Sequence, residues 1–271
     1  MKTLAPMNNP DRVTGMIYSH DLTDHHALVT GGGTGIGRAI AVALAQAGAQ
    51  VTITGRRTDV LDATAADHEN LHPKVMDVAD PEAIISGIAA AQAKRGPVSI
   101  CIANAGIAEG RSVPKTDLPF WRQMMQINLD GAFLTMQACL PGMKERGWGR
   151  GVAVSSIAGL RGLKGASAYT ASKHGMVGLI RGLAEDYVEA PYTFNALCPA
   201  YVDTDIITRN TSAISERAGI SEAAARDIMV KTNPHKRLIA PEEVAAAALW
   251  LCHPLSSSVN GQCIEIAGGQ L

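Results

Sequence analysis

From residue 26 onward, short apolar, β-branched runs alternate with longer Ala-rich segments of helical character. The runs at 27–30, 50–54, 74–76, 98–102, 152–155, 193–197 and 262–266 predict strands, and the segments at 36–47, 81–94, 118–146, 167–189 and 241–251 predict helices. Gly48 is placed as a helix stop, and Asp80-Pro81 and Ala240-Pro241 as helix starts. Strands separated by helices form βαβ units, whose crossovers require a parallel sheet covered on both faces, so the expected class is α/β. No linker-like tract or repeat interrupts the series, which predicts one domain at 25–271 behind an N-terminal extension, 1–24. The stretch 199–221 lacks a clear period and reads as a long irregular connection, with few large apolar residues to pin it; it is expected to act as a lid.

Composition narrows the function classes. Of 271 residues, 46% are hydrophobic and 18% charged, and the formal net charge is −1. Without a basic excess or a local Lys/Arg run, neither nucleic acid nor an anionic membrane surface is an expected partner. The longest uncharged stretch, 244–264, contains His253, Pro254, Asn260 and three serines, so it does not read as a membrane span. Asp11, Asp21 and Asp24 and the lack of an apolar core argue against a secretory or mitochondrial leader, and a cytoplasmic location is expected. Cys101, Cys139, Cys198, Cys252 and Cys263 are widely spaced without C-x-x-C, which reads as reduced residues, mostly in the core.

The candidate chemistry begins directly after the first strand, at Thr30-Gly31-Gly32-Gly33-Thr34-Gly35-Ile36-Gly37. Glycines at a strand-to-helix junction let the backbone approach a pyrophosphate and aim free helix N–H groups at it; the plain alternative is a tight turn without a ligand. Further on, Tyr169 and Lys173 stand at i and i+4, on one helix face. A phenol beside a cation is expected to have a lowered pKa and to exchange a proton with an alcohol or ketone, although the same spacing also occurs on solvated helix surfaces. Ser156 follows the fifth strand at its carboxyl end, where its hydroxyl could bind the same substrate oxygen.

Through the glycine turn, Ser156, Tyr169 and Lys173, the sequence resembles the short-chain dehydrogenase/reductase family over residues 25–269. Further motifs follow in order: Asp77-Val78, Asn104-Ala105-Gly106, Asn128, and Pro199 through Thr204. The resemblance implies a single Rossmann-type, doubly wound domain with a seven-stranded parallel sheet. It implies Tyr169 as general acid or base, Lys173 lowering the tyrosine pKa and holding the nicotinamide ribose, Ser156 polarising the carbonyl, and Asn128 anchoring a proton-relay water. It assigns Gly31, Gly33, Thr34, Gly35, Ile36 and Gly37 to the pyrophosphate turn, and Asp77 and Val78 to the adenine. Asn104, Ala105 and Gly106 would line the cleft, with Pro199, Val202 and Thr204 near the nicotinamide. Ala103 and Ala200 depart from the family pattern, which often has Asn and usually has Gly there. The family also implies a homo-oligomer, expected here as a homotetramer built on the helices at 118–146 and 167–189.

The second strand ends at Gly55-Arg56-Arg57, where NAD-specific folds usually carry an acidic residue. Arginines there suit a ribose 2′-phosphate, so NADP(H) is the expected cofactor, with NAD(H) possible if both side chains are merely solvated. The expected reaction interconverts a secondary alcohol and a ketone, on a 3-oxoacyl/3-hydroxyacyl substrate or on a cyclic or aromatic alcohol. Other classes remain open: a non-catalytic cofactor-binding sensor, against which the intact Ser156/Tyr169/Lys173 set argues, and a structural subunit. No metal site is expected, and no G-x-S-x-G supports a serine hydrolase. Arg161 and Lys164 lie between Ser156 and Tyr169 on a loop expected to flank the substrate. Either is a solvated loop residue or a partner for a carboxylate or a coenzyme A phosphate; Glu109 and Arg111 carry the same ambiguity.

Overall fold

The computed structural model describes residues 21–270, so most of the expected N-terminal extension lies outside the described residues. Seven parallel strands run β1 (His26–Thr30), β2 (Gln50–Gly55), β3 (Leu71–Val75), β4 (Val98–Ala103), β5 (Gly149–Val154), β6 (Tyr192–Pro199) and β7 (Cys263–Ile266). Their order in the sheet is β3-β2-β1-β4-β5-β6-β7, so the winding reverses between β1 and β4. A crevice outside the carboxyl ends of the strands at that reversal is where such sheets bind ligands.

The helices are α1 (Gly35–Gln46), α2 (Thr58–Ala65), α3 (Pro81–Arg95), α4 (Leu118–Met125), α5 (Gly131–Arg146), α6 (Ser167–Asp186), α7 (Asp205–Ala218), α8 (Glu222–Thr232) and α9 (Pro241–Cys252). Side chains alternate across the sheet. Val29, Val152 and Val154 meet Ile40 and Leu44 of α1 and Val244 and Leu251 of α9 on one face. Leu28 and Ala153 meet Ile84 of α3, Met136 and Cys139 of α5 and Ile180 of α6 on the other. Local signals behave as read: Asp80 caps α3 by accepting from the Glu82 and Ala83 N–H groups at 3.0 and 3.2 Å, and Gly48 takes a positive φ of 95°.

Three expectations are corrected. The third strand begins at Leu71, before the expected 74–76, because it is a sheet edge that tolerates Pro73. The helix expected over 118–146 is interrupted by a π turn, Gln126–Asp130, which carries the buried Asn128. The stretch 199–221 is not an irregular connection: most of it is α7, whose Ile207 and Thr211 are buried, as is Met229 of α8. Its many Ser, Thr and Asn residues compete for backbone bonds and weaken the helical signal, while Gly219 closes it with φ of 64°.

Candidate active site

At the carboxyl edge, the turn after β1 is fixed by its own backbone. Gly31 and Gly35 have φ of 63° and 52°, a region that L side chains avoid. A Cβ on Gly37 would stand 2.2 Å from the Gly31 carbonyl oxygen and 2.4 Å from Asn104 Nδ2, so only glycine fits there. Asn104 Nδ2 donates to the Thr30 and Gly31 carbonyls at 2.9 and 3.3 Å, while the Thr30 hydroxyl accepts from the Asn104 and Ala105 N–H groups, each at 3.0 Å. Asn104 is therefore a brace between β1 and β4. Thr34 precedes α1 in extended conformation without capping through its side chain, and the first turn of α1 carries no acidic residue. The open N–H groups and glycine walls fit a pyrophosphate.

Two adjoining hollows of about 860 and 520 Å³ share Gly31, Thr34, Ala105 and Gly106 and form one continuous cleft. Gly33, Arg56, Arg57, Asp77 and Val78 line its outer half. Asp77 turns the chain by accepting from the Ala79 N–H at 3.0 Å. Arg56 and Arg57 are exposed, and neither forms an ion pair among the described residues. Ile36, Gly37, Ser156, Tyr169, Lys173 and Pro199 line the inner half, as do Val202 and Thr204. The departures from the family pattern are accommodated: Ala103 is buried in β4, and Ala200 extends β6 by donating its N–H to the Ile266 carbonyl at 3.0 Å without positive φ.

The Ser156 hydroxyl accepts from the Ala158 N–H at 3.1 Å and lines the inner half together with Tyr169. Lys173, on the same face of α6 as Tyr169, is buried; its Nζ donates to the Val154 carbonyl at 2.8 Å and lies 5.8 Å from the Tyr169 ring centroid. Burial pushes the lysine down to about 8. The pKa of the Tyr169 hydroxyl is moved up by burial, opposed by the neighbouring Ser156 hydroxyl. This corrects the expectation that Lys173 lowers it: with Nζ turned to Val154, burial governs the phenol.

Asn128 is fully buried behind the cleft. Its Oδ1 accepts from the Ile107 N–H at 2.8 Å, and its Nδ2 donates to the Ile107 carbonyl at 3.0 Å and to the Ser172 hydroxyl at 3.1 Å. Ser172 in turn donates to the Tyr169 carbonyl at 2.8 Å. The side-chain amide thus joins the loop after β4 to the helix bearing Tyr169.

A family model described as short chain dehydrogenase matches residues 25–215. The chain belongs to this family. D-beta-hydroxybutyrate dehydrogenase of Rhizobium meliloti (strain 1021) is 31% identical over 252 residues, spanning 90% of this chain and 97% of that protein. Acetoacetyl-CoA reductase of the same strain is 34% identical over 244 residues, with the same 90% and 97% spans. The structure of a variant actinorhodin polyketide ketoreductase with NADPH matches with a TM-score of 0.89 at 30% identity, covering 92% of this chain and 98% of that one. As a short-chain dehydrogenase, the chain is an oxidoreductase of a family that uses NAD(P). Its Rossmann-like parallel sheet is the expected fold, and no described helix is long and apolar enough to cross a membrane.

Sequence reading did not single out Tyr201 or Asn233. Tyr201 lines the inner half of the cleft, and buried Asn233 pins it, accepting from its N–H at 3.3 Å and donating to its carbonyl at 3.0 Å. Asn233 lies beyond α8 and no local motif marks it.

Proposed function

We propose that this short-chain dehydrogenase reduces a ketone to a secondary alcohol with NADPH, Tyr169 delivering the proton. The observation that carries this is the gathering of Ser156, Tyr169 and buried Lys173 on the wall of the cleft's inner half. A substrate carbonyl oxygen inserted there accepts from both hydroxyls: Ser156 polarises it and Tyr169 protonates it as charge develops. A phenol whose pKa is raised stays protonated near neutrality, which suits the acid role in reduction. Lys173, charged below about pH 8, holds the nicotinamide ribose hydroxyls. Asn128 positions Tyr169 through Ser172. The bound cofactor supplies the hydride.

The turn 31–37 with Asn104, Ala105 and Gly106 holds the pyrophosphate side, Asp77 and Val78 the adenine, and Pro199, Val202 and Thr204 the nicotinamide side. Arg56, with Arg57 beside it, grips the 2′-phosphate, giving NADP(H) preference over NAD(H). Relatives named for hydroxybutyrate and acetoacetyl-CoA support a 3-oxo or 3-hydroxy acyl substrate. The catalytic unit is 25–271. Exposed Leu118, Trp121 and Phe133 on α4 and α5 support association into a homotetramer, and the free cysteines fit a reducing compartment such as the cytoplasm. A panel of ketones with NADPH and NADH, followed at the nicotinamide absorbance, tests the reading. NADPH consumption with 3-oxo compounds is expected; tight cofactor binding without consumption would point to a sensor.

A further inference from the structure

Apart from the two cores that cover the sheet, a third, small apolar cluster forms where α4 meets α6. Phe120 and Met124 of α4 and Ala168 of α6 are buried in it, and Ile107 and Tyr169 pack against it. Phe120 and Met124 stand at i and i+4, on one face of α4. Neither lines the cleft, whereas Ile107 and Tyr169 do, so the cluster backs the wall that these two present to the inner half. Asp117 sets the place of Phe120 through both carboxylate oxygens: Oδ1 accepts from the Phe120 N–H at 2.8 Å, and Oδ2 lies 3.9 Å from Arg111 Nη1. The Arg111 guanidinium covers the Phe120 ring, with Cζ 3.8 Å from the centroid, and pairs with Glu109 at 3.0 Å. The sequence leaves Arg111 open as a solvated residue or a substrate contact; the fold engages it with Phe120, Glu109 and Asp117. At the other end of α4, Met124 Sδ lies 3.1 Å from Asn128 Nδ2, the amide that also holds Ile107 and Ser172.

We propose that Phe120, clamped by Arg111, is a positioning residue that seats the phenol of Tyr169 for proton transfer. This rests on the oxidoreductase reading above and adds the element that fixes its proton donor. The Ser172 hydroxyl reaches only the Tyr169 main chain, so the ring depends on packing for its direction. A misplacement of about 1 Å can cost about 100-fold in rate, which makes the wall behind the ring part of the catalytic geometry. The same wall keeps water from one side of the phenol, in keeping with the upward effect of burial on its pKa. Glu109 lines both hollows and is joined through Arg111 to Phe120, so the loop after β4 and the proton donor are set as one unit.

The test is a double-mutant cycle with F120A, F120L and R111M, each alone and combined with Y169F. Single-turnover consumption of NADPH is followed with whichever of acetoacetate, acetoacetyl-CoA and cyclohexanone wild type consumes fastest, beside KM and NADPH affinity. F120A is expected to slow turnover by about 10- to 30-fold and to leave KM and NADPH affinity within about twofold. F120L is expected to restore most of the rate, and R111M to slow it by about 2- to 5-fold without raising KM. In the Y169F background the same changes are expected to alter the residual rate by less than about twofold, because no phenol remains to be seated. A second reading needs no turnover: the tyrosinate absorbance of each protein minus that of its Y169F counterpart follows the titration of this phenol. Lys173, Tyr201 and Cys198, the titratable groups around it, are the same in each pair. F120A opens a path for water and is expected to move that titration down toward the ordinary value of about 10. Should F120A not fold, F120V carries the same cycle with a slowing of about 3- to 10-fold. Unchanged turnover and titration in the Phe120 variants, equal slowing in both backgrounds, or a loss confined to KM would overturn the proposal. Failure of the oxidoreductase reading has a different signature: no ketone is consumed, or Y169F matches wild type, while the titration of Tyr169 still moves in F120A.

Discussion

The two halves of the cleft are built by different means. Around the β1 turn, proposed to hold the cofactor, geometry is set by main chain: Gly37 has no room for a Cβ, and Asn104 and Thr30 bolt the ends of β1 and β4 together. Around the inner half, proposed to hold the substrate, loops are held at a distance by single side chains, Asn128 bridging Ile107 to Ser172, and Asn233 holding Tyr201. A binding turn common to many substrates can be encoded in a few consecutive residues. A pocket for one substrate is assembled from segments far apart in the chain, and can diverge without disturbing the turn.

The sharpest way to break this division is to remove one atom where the halves meet. Tyr169→Phe keeps the ring and deletes the proposed proton donor, so kcat is expected to fall by about 100-fold or more while NADPH affinity is nearly unchanged. Steady-state kinetics with direct cofactor titration checks both; joint loss of the two would mean that the halves are not separable.

Next in size is the charge buried between them. Lys173 is lowered from 10.5 to about 8, so between those pH values the unfolded chain binds the extra proton and the folded one does not. The burial cost, roughly 3 kcal/mol, is fully present below about pH 8 and disappears as pH rises toward 10.5. The stability of K173M relative to wild type, from urea unfolding, is expected to be most favourable below pH 8 and to shrink over that window. A gap that does not change with pH would place the ammonium in a solvated site.

The outer half is tested by Arg56→Ala, expected to weaken NADPH binding by about 1.5–3 kcal/mol and leave NADH almost untouched. A wild type that already prefers NADH in kcat/KM would remove the 2′-phosphate contact. The smallest effect concerns α7, which stands between the halves with Thr204 at its start. Amide exchange across 205–218 is expected to slow on ternary-complex formation, as for a lid, and equal exchange with and without ligands would make α7 a fixed wall.

The same division decides what could be read from the chain. The β1 turn, Ser156, Tyr169 and Lys173 are legible because short-range spacing determines where they lie, and the alternation of strands and helices gives the sheet. The π turn at Asn128 hides inside a continuous helical pattern, and α7 hides behind its Ser, Thr and Asn content. The direction of the Tyr169 shift escapes sequence reasoning, because it depends on burial and on where Lys173 Nζ points. Asn233 is invisible for a related reason: its partner Tyr201 lies on the other side of two helices in sequence.

The central claim is that cofactor and proton donor meet in one cleft. It is tested most directly by mixing the enzyme–NADPH complex with saturating 3-oxo acid and following a single turnover at the nicotinamide absorbance, in wild type and Tyr169→Phe side by side. Rapid loss of absorbance is expected in wild type, and persistence in the variant with NADPH still bound. Equal rates in the two proteins would contradict it.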